Sequence, residues 1–312
     1  MDDVSIIIVS WNARGHLRNC LDSIRQTRGE AVREVIVVDN ASSDGSPDMV
    51  AEQYPEVKLI RSDKNLGFAR ANNLGIRNAC GSLLALVNSD VVVHPQCFQR
   101  LADFLALHPE AGLVGPKVFG GDGRLQRTCR LLPGRWNILC EAVALDRLFP
   151  HYGLFSGREM RHWDQSNTAE VEVLSGCFWL ARRKAVEAVG GLDERFFFYA
   201  EDIDWCKRFQ DCGWRVFFCC EATAVHFGGG SSSNAPLRYS IEMLRSNLAY
   251  WRKHHGWLGR LGFHSISILH FGFRVVSLGL LTLGRFANPD KFRHKLKENY
   301  VCFRWLVTGK GV

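Results

Sequence analysis

No pair of cysteines in this chain has the C-x-x-C spacing, although eleven cysteines are scattered along its 312 residues. The odd count and irregular spacing exclude a disulfide framework and a zinc site of paired thiolates, so reduced thiols in a cytoplasm are expected. The chain does not open with a basic start, an apolar run and a small-residue cleavage site, so no secretory signal is expected. In the apolar stretch near the C-terminus, Arg274 and Arg285 leave ten residues between them. That is short of the about 20 that a membrane span needs. No motif of a nucleic-acid-binding module occurs, and no nucleic-acid partner is expected.

What is present is apolar and unevenly charged. With 46% hydrophobic residues the chain can bury one large α/β domain, or a domain plus an appendage. Of the net charge of +7, residues 252–312 supply a balance of +9, from eleven Lys/Arg and two Asp/Glu. A basic tail on a near-neutral body points to an anionic surface, either a membrane or nucleic acid.

Apolar runs and amphipathic stretches alternate along the first half. Val4 to Val9 reads as a buried parallel strand, and Ser10-Trp11-Asn12 as the loop after it. Leu17, Cys20, Leu21 and Ile24 recur at helical spacing. Val35 to Val38 is the second strand, ending in Asp39-Asn40; Val57 to Ile60 is the third; Leu83 to Val87 is the fourth, ending in Asn88-Ser89-Asp90. Asn65-Leu66-Gly67 opens a helix through Cys80, and Pro95 starts another. Such alternation means βαβ units and a parallel sheet with right-handed crossovers. Ligands sit beyond the carboxyl ends of such strands. Three of those ends carry polar sets: Ser10/Asn12, Asp39/Asn40 and Asn88/Asp90.

Farther on, residues 113–118 and Val171 to Ala181 read as strands, with an irregular stretch at about 120–170 between them. Phe196 to His226 concentrates the acids: Glu201, Asp202 and Asp204 fall within four residues, Asp211 follows, and His226 closes the stretch. Ile203 to Gly213 reads as a helix with Gly213 as its stop, and Val216 to Cys220 as a buried strand. Glu201 and Asp202 then lie at a helix N-terminus, where backbone N–H groups favour carboxylates. Asp204 and Asp211 read as structural or solvated. The loop from Gly228 to Ser233 reads equally as a lid or a plain surface loop. Pro236 to His254 is a further helix, and Ile266, Leu269, Phe273, Val276, Leu280 and Leu283 step by three and four. A basic amphipathic helix lying in a membrane interface is expected there, with packing against protein as the alternative.

These segments together resemble the family 2 glycosyltransferases, the inverting GT-A type, and especially their rhamnosyltransferase-like bacterial members. The matching stretches are VSIIIVSWNARGHLRNCLDSI, EVIVVDNASSDGS, NLGFARANNLGI, LLALVNSDV, LSGCFWLARRKAVEAVGGLDERFFFYAEDIDWCKRFQDCGWRV and AVHFGGGSS, in that order over residues 4–233. The resemblance implies a nucleotide-diphospho-sugar transferase fold, a Rossmann-like, mostly parallel sheet with helices on both faces, followed here by a C-terminal helical tail. The expected division is a glycosyltransferase domain at 1–235, with a nucleotide-binding half at 1–118 and an acceptor-binding half at 119–235, and a basic helical region at 236–312.

The resemblance also implies roles. Asp39 would contact the nucleotide base, with Ser10, Trp11 and Asn12 in the nucleotide-side loop and Asn65, Gly67 and Asn72 lining the donor pocket. Asn88-Ser89-Asp90 stands where the family has its DxD motif. Asp90 and His226 would bind Mg²⁺ or Mn²⁺ bridging the donor diphosphate, while Asn88 offers a neutral oxygen in place of the first acid. Asp202 would be the general base, with the adjacent Glu201 as its rival. The chemistry requires such a set: a hard cation offsets charge on the leaving diphosphate, and a carboxylate takes the acceptor proton. Transfer from a dTDP- or UDP-sugar to a lipid-linked or growing glycan, at the inner face of the cytoplasmic membrane, is the implied function. The alternatives are a sugar nucleotidyltransferase, which would want a Gly-rich phosphate loop after the first strand, and a non-catalytic glycan-binding relative.

Overall fold

A computed structural model describes residues 3–27, 31–155, 157–228, 236–283 and 289–310. The first half alternates as its pattern predicts: β1 (Val4–Ser10), α1 (Arg14–Gln26), β2 (Val32–Asp39), α2 (Ser46–Gln53), β3 (Lys58–Arg61), α3 (Gly67–Asn78), β4 (Leu83–Asn88), β5 (Val91–Val93), α4 (Cys97–Leu107) and β6 (Ala111–Gly120). Then come β7 (Leu125–Gln126), β8 (Cys129–Arg130), α5 (Arg135–Ala142), α6 (Leu145–Leu148), β9 (Ala169–Glu170), β10 (Val173–Leu174), β11 (Phe178–Arg182), α7 (Arg183–Val189), α8 (Glu201–Asp211) and β12 (Arg215–His226). Two long helices follow, α9 (Pro236–Leu283) and α10 (Pro289–Thr308).

The main sheet has the order β3-β2-β1-β4-β11-β6-β12-β5. Its first four strands are parallel. β11 runs antiparallel between β4 and β6, and β12 runs parallel to β6. Apolar runs occupy the middle because both faces are covered. Ile6 and Ile8 join Leu17 of α1, Met49 of α2 and Phe98 of α4 in one core. Ile36 and Val38 pack with Ala71 of α3 in another cluster. α3 lies so close to β1 that a Cβ at Gly75 would collide with Ile7.

Three differences from the sequence reading shape the site. The expected strand from Val171 to Ala181 is split into β10 and β11, and the Trp179 indole folds back to donate to the Leu174 carbonyl at 3.2 Å. β12 continues past Cys220 to His226, through a register shift between Cys219 and Thr223. β5, three valines after the Asp90 turn, carried no pattern long enough to read, yet it pairs antiparallel with the end of β12.

The chain divides into two compact units, one of residues 1–132 with 163–231 and one of residues 133–162 with 232–312. Residues 133–162 therefore group with the tail, whereas the sequence division placed them in the 119–235 half. In this second unit α5 packs on α9, and His270 Nδ1 lies 3.0 Å from the Ala142 carbonyl oxygen. α9 and α10 share a core of Leu244, Leu248, Cys302 and Leu306. α9 breaks its helical geometry at Gly256, where φ is 67°. By length and composition α9 suffices to cross a membrane. The expected glycine-rich loop lies outside the described residues from Gly229 onward.

Candidate active site

The parallel strands bring three polar ends side by side. Ser10 closes β1 opposite Asp39 of β2, and Val9 lies opposite Asn88 of β4. Ser10 and Asp39 are buried. Ser10 Oγ and Asp39 Oδ1 have no hydrogen-bond partner, while Asp39 Oδ2 accepts from the Ser42 N–H at 3.2 Å. An unsatisfied buried polar group costs about 1–3 kcal/mol, so two at adjoining strand ends are candidate ligand contacts. The loops around them are laced together. Asn12, at φ 50°, accepts the Ser43 N–H at 2.8 Å and donates its own N–H to Ser42 Oγ at 3.0 Å. Trp11 stands exposed beside it.

Asn40 extends this corner toward α3. Its Nδ2 donates to Asn65 Oδ1 at 2.9 Å and its Oδ1 accepts the Leu66 N–H at 2.7 Å. Gly67 sits at φ 78°, with the Phe197 ring and carbonyl where a Cβ would be, so both conformation and space require glycine. Phe68 N–H donates to the Phe197 carbonyl at 3.2 Å, which ties this loop to the segment before α8. Asn72 is not brought to the surface of this corner. It is buried in α3 and donates its amide to the Phe68 carbonyl at 3.0 Å.

The pairing of β5 with β12 assembles the next corner. Val91 lies opposite His226, so the Asp90 turn meets the end of β12, and Phe227 N–H donates to the Asp90 carbonyl at 3.0 Å. Asp90 Oδ1 is 3.2 Å from His226 Nε2. Burial pushes the Asp90 carboxyl up, but its hydrogen bond to His226 and the charges of His226 and His16 outweigh this and hold it below its ordinary value. His226 Nδ1 lies 3.1 Å from Gln126 Oε1 on β7. With Gln126 Oε1 accepting from Nδ1, Nε2 is the ring nitrogen that faces Asp90. Among the described residues no cluster of three or more metal-ligating side chains occurs. One carboxylate and one imidazole nitrogen still suit a cation that takes its remaining ligands from phosphate and water. Gln126 and His16 carried no sequence signal of a role. Asn88 is tied by its N–H to the Cys177 carbonyl at 3.0 Å, and Ser89 lies in the turn before Asp90.

The third corner is the start of α8 at Glu201, two residues before the predicted boundary at Ile203. Tyr199 and Ala200 both adopt left-handed φ, 70° and 64°, directly before Glu201. Such residues cost about 1–3 kcal/mol each and gather at functional sites. Glu201 is buried with Oε2 lacking a partner. Burial, then the neighbouring Asp202 carboxylate, pushes the Glu201 carboxyl well above its usual range. Asp202 is half-buried, and its Oδ1 accepts the Ile203 N–H at 2.8 Å. Asp204 is fully buried against Arg208 Nε at 2.8 Å, and Asp211 pairs with Lys207 on the surface, both structural pairs. β10 bridges the corners: Leu174 N–H donates to Cys206 Sγ of α8, three residues before Cys177 receives Asn88.

The sequence of residues 5–190 matches the family described as Glycosyl transferase family 2. The chain belongs to this family. As a family 2 glycosyltransferase it is 28% identical over 268 residues to the N-acetylglucosaminyl-diphospho-decaprenol L-rhamnosyltransferase of Mycobacterium tuberculosis, covering 82% of this chain and 86% of that one. It is 23% identical over 290 residues to the low-salt glycan biosynthesis hexosyltransferase Agl10 of Haloferax volcanii, covering 89% and 85%. Its fold is that of the mannosyltransferase PcManGT from Pyrobaculum calidifontis, solved with GDP-Man and Mn²⁺, at a TM-score of 0.59 and 16% identity over 99% of this chain and 90% of that one. The GT-A architecture expected from the sequence is therefore the architecture found.

Proposed function

We propose that this glycosyltransferase moves a sugar, rhamnose in the first instance, from a nucleoside diphosphate donor to a lipid-linked glycan acceptor, inverting the anomeric carbon. The observation that carries the reading is the adjacency of orphaned Ser10 and Asp39 oxygens to the Asn88-Ser89-Asp90 turn at neighbouring strand ends. Asp39 Oδ1 and Ser10 Oγ accept and orient the nucleotide, and the Asn65–Gly67 loop lines the donor pocket. Asp90 Oδ1 and His226 Nε2 would hold Mg²⁺ or Mn²⁺, with Gln126 fixing the ring. When bound, that ion offsets the negative charge gathering on the leaving diphosphate. Asn88 adds a neutral oxygen, so the corner carries less charge than two carboxylates would give.

Asp202 takes the proton of the attacking acceptor hydroxyl. Glu201 is the poorer candidate, because it is buried with its carboxyl raised by burial and by Asp202, whereas Asp202 is half-buried. One displacement with one base inverts the sugar. The likeness to the mycobacterial enzyme supports rhamnose and a lipid diphosphate acceptor. The basic tail and the exposed apolar residues of α9 support a peripheral position on the inner, anionic face of the cytoplasmic membrane.

The test is a panel of dTDP-, UDP- and GDP-sugars with Mn²⁺ or Mg²⁺ and a polyprenyl-diphosphate N-acetylglucosamine acceptor. Transfer from dTDP-rhamnose with inverted product is expected. Synthesis of a nucleotide sugar from a nucleoside triphosphate and a sugar phosphate would contradict the reading, as would donor binding without turnover on any acceptor.

A further inference from the structure

Residues 133–155 carry no periodic pattern, yet they expose more large apolar side chains than any comparable stretch of the first unit. Leu139 on α5, Val143 just after it, and Leu148, Tyr152 and Leu154 farther on are all exposed, the last at 68%. Trp136 is half exposed, with its indole N–H held by the Leu154 carbonyl at 2.9 Å. Contiguous exposed apolar surface of this kind marks an interaction site.

The stretch is not isolated. The Ala142 carbonyl lies 3.0 Å from His270 Nδ1, which fixes α5 against α9 where Leu269 and Phe273 are exposed at 73% and 71%. Two apolar surfaces far apart in sequence thus meet in one unit. Their charge has one sign. Both acids of the stretch are engaged, Glu141 by Arg158 at 2.9 Å and Asp146 by Arg161 at 3.7 Å. What it presents to solvent is Arg135 and Arg147, and Arg147 lies with Arg274 near enough to bear on His270.

We propose that residues 133–155 and α9 form one docking face that enters the headgroup layer of an anionic bilayer. This rests on the membrane reading above and extends it to a segment outside the tail. Aliphatic side chains would enter the acyl boundary. Trp136 and Tyr152, apolar bodies with polar tips, suit the interface, and the guanidinium groups meet lipid phosphates.

The experiment uses the full chain with vesicles of phosphatidylcholine alone or mixed with phosphatidylglycerol. The parent, L148S/L154S on the 133–155 segment and F273S/V276S on α9 are compared by co-sedimentation, with circular dichroism confirming unchanged helix content. Each segment variant is expected to lower partitioning on the anionic vesicles by at least about tenfold. W136F should bind as the parent does but lose part of the fluorescence quenching by brominated lipid. Parent-like binding by L148S/L154S, with loss in F273S/V276S, would overturn this face and leave tail binding standing. A parent that binds neither vesicle would overturn both readings. Equal binding to the two vesicles would contradict the anionic partner. Concentration-dependent dimers abolished by L148S/L154S, without vesicle binding, would assign the face to a second copy.

Discussion

At the ends of β4 and β12, Asp90 and His226 lie 3.2 Å apart, and Gln126 engages the far ring nitrogen. At the start of α8, Glu201 keeps an oxygen buried without a partner, and Asp202, the next residue, is half-buried. Both corners hold carboxylates, and their environments shift them oppositely. Against the effect of burial, the hydrogen bond to His226 lowers the Asp90 carboxyl, whereas burial and then the Asp202 carboxylate raise that of Glu201. The first corner sets one carboxylate against one imidazole, the pair proposed above to hold a cation. The second separates two adjacent acids by burial, Glu201 inside and Asp202 half-buried.

The largest effect is expected where that separation is removed from chemistry. Asp202→Asn should lower transfer by about 10²–10⁴-fold, the reach of general-base catalysis, at saturating donor. Next comes the cation corner. Asp90→Ala should remove the metal-dependent part of nucleoside diphosphate affinity, at the upper end of about 10–100-fold, in calorimetry with and without Mn²⁺. Unchanged metal-dependent affinity would mean the cation sits elsewhere. Gln126→Leu should weaken Mn²⁺ binding by about tenfold while metal-free nucleotide affinity stays as it was, because the ring loses its orienting acceptor. Equal loss with and without metal would make Gln126 a packing residue.

The smallest effect on transfer belongs to Glu201→Gln, and its signature lies in stability. A carboxyl raised in the folded state contributes stability below its unfolded value, near 4.3, and that contribution is lost as pH rises toward the folded value. The amide does not titrate. Glu201→Gln should therefore raise the melting temperature relative to the parent at pH 8 and close that gap near pH 4. A gap that widens on acidification would mean that Glu201 is ionised in the fold.

The parallel strands were legible because burial on both faces turns a strand into an unbroken apolar run, as from Val4 to Val9. Their polar ends followed, and with them Asp39 and Asp90. β5 was not legible: three valines are too few to show a period, although they join Asp90 to His226. Gln126 was hidden for another reason. It lies in an aperiodic stretch, and the pairing of Val118 with Gln126 across a hairpin carries it to the site. Sequence spacing said that Glu201 and Asp202 diverge by about 100° on a helix, so that one alone could face an acceptor. Which one depends on burial, a tertiary property. The stripe from Ile266 to Leu283 was visible as a period, but period does not say whether a face is covered, and Leu269, Phe273, Val276 and Leu280 are exposed.

The most direct test places Asp202→Asn and Glu201→Gln side by side, measuring turnover and donor affinity for each against the parent. The account predicts collapse of turnover in Asp202→Asn with donor affinity retained, and turnover near that of the parent in Glu201→Gln. Near-normal turnover in Asp202→Asn with collapse in Glu201→Gln would contradict it and assign the proton to the buried acid.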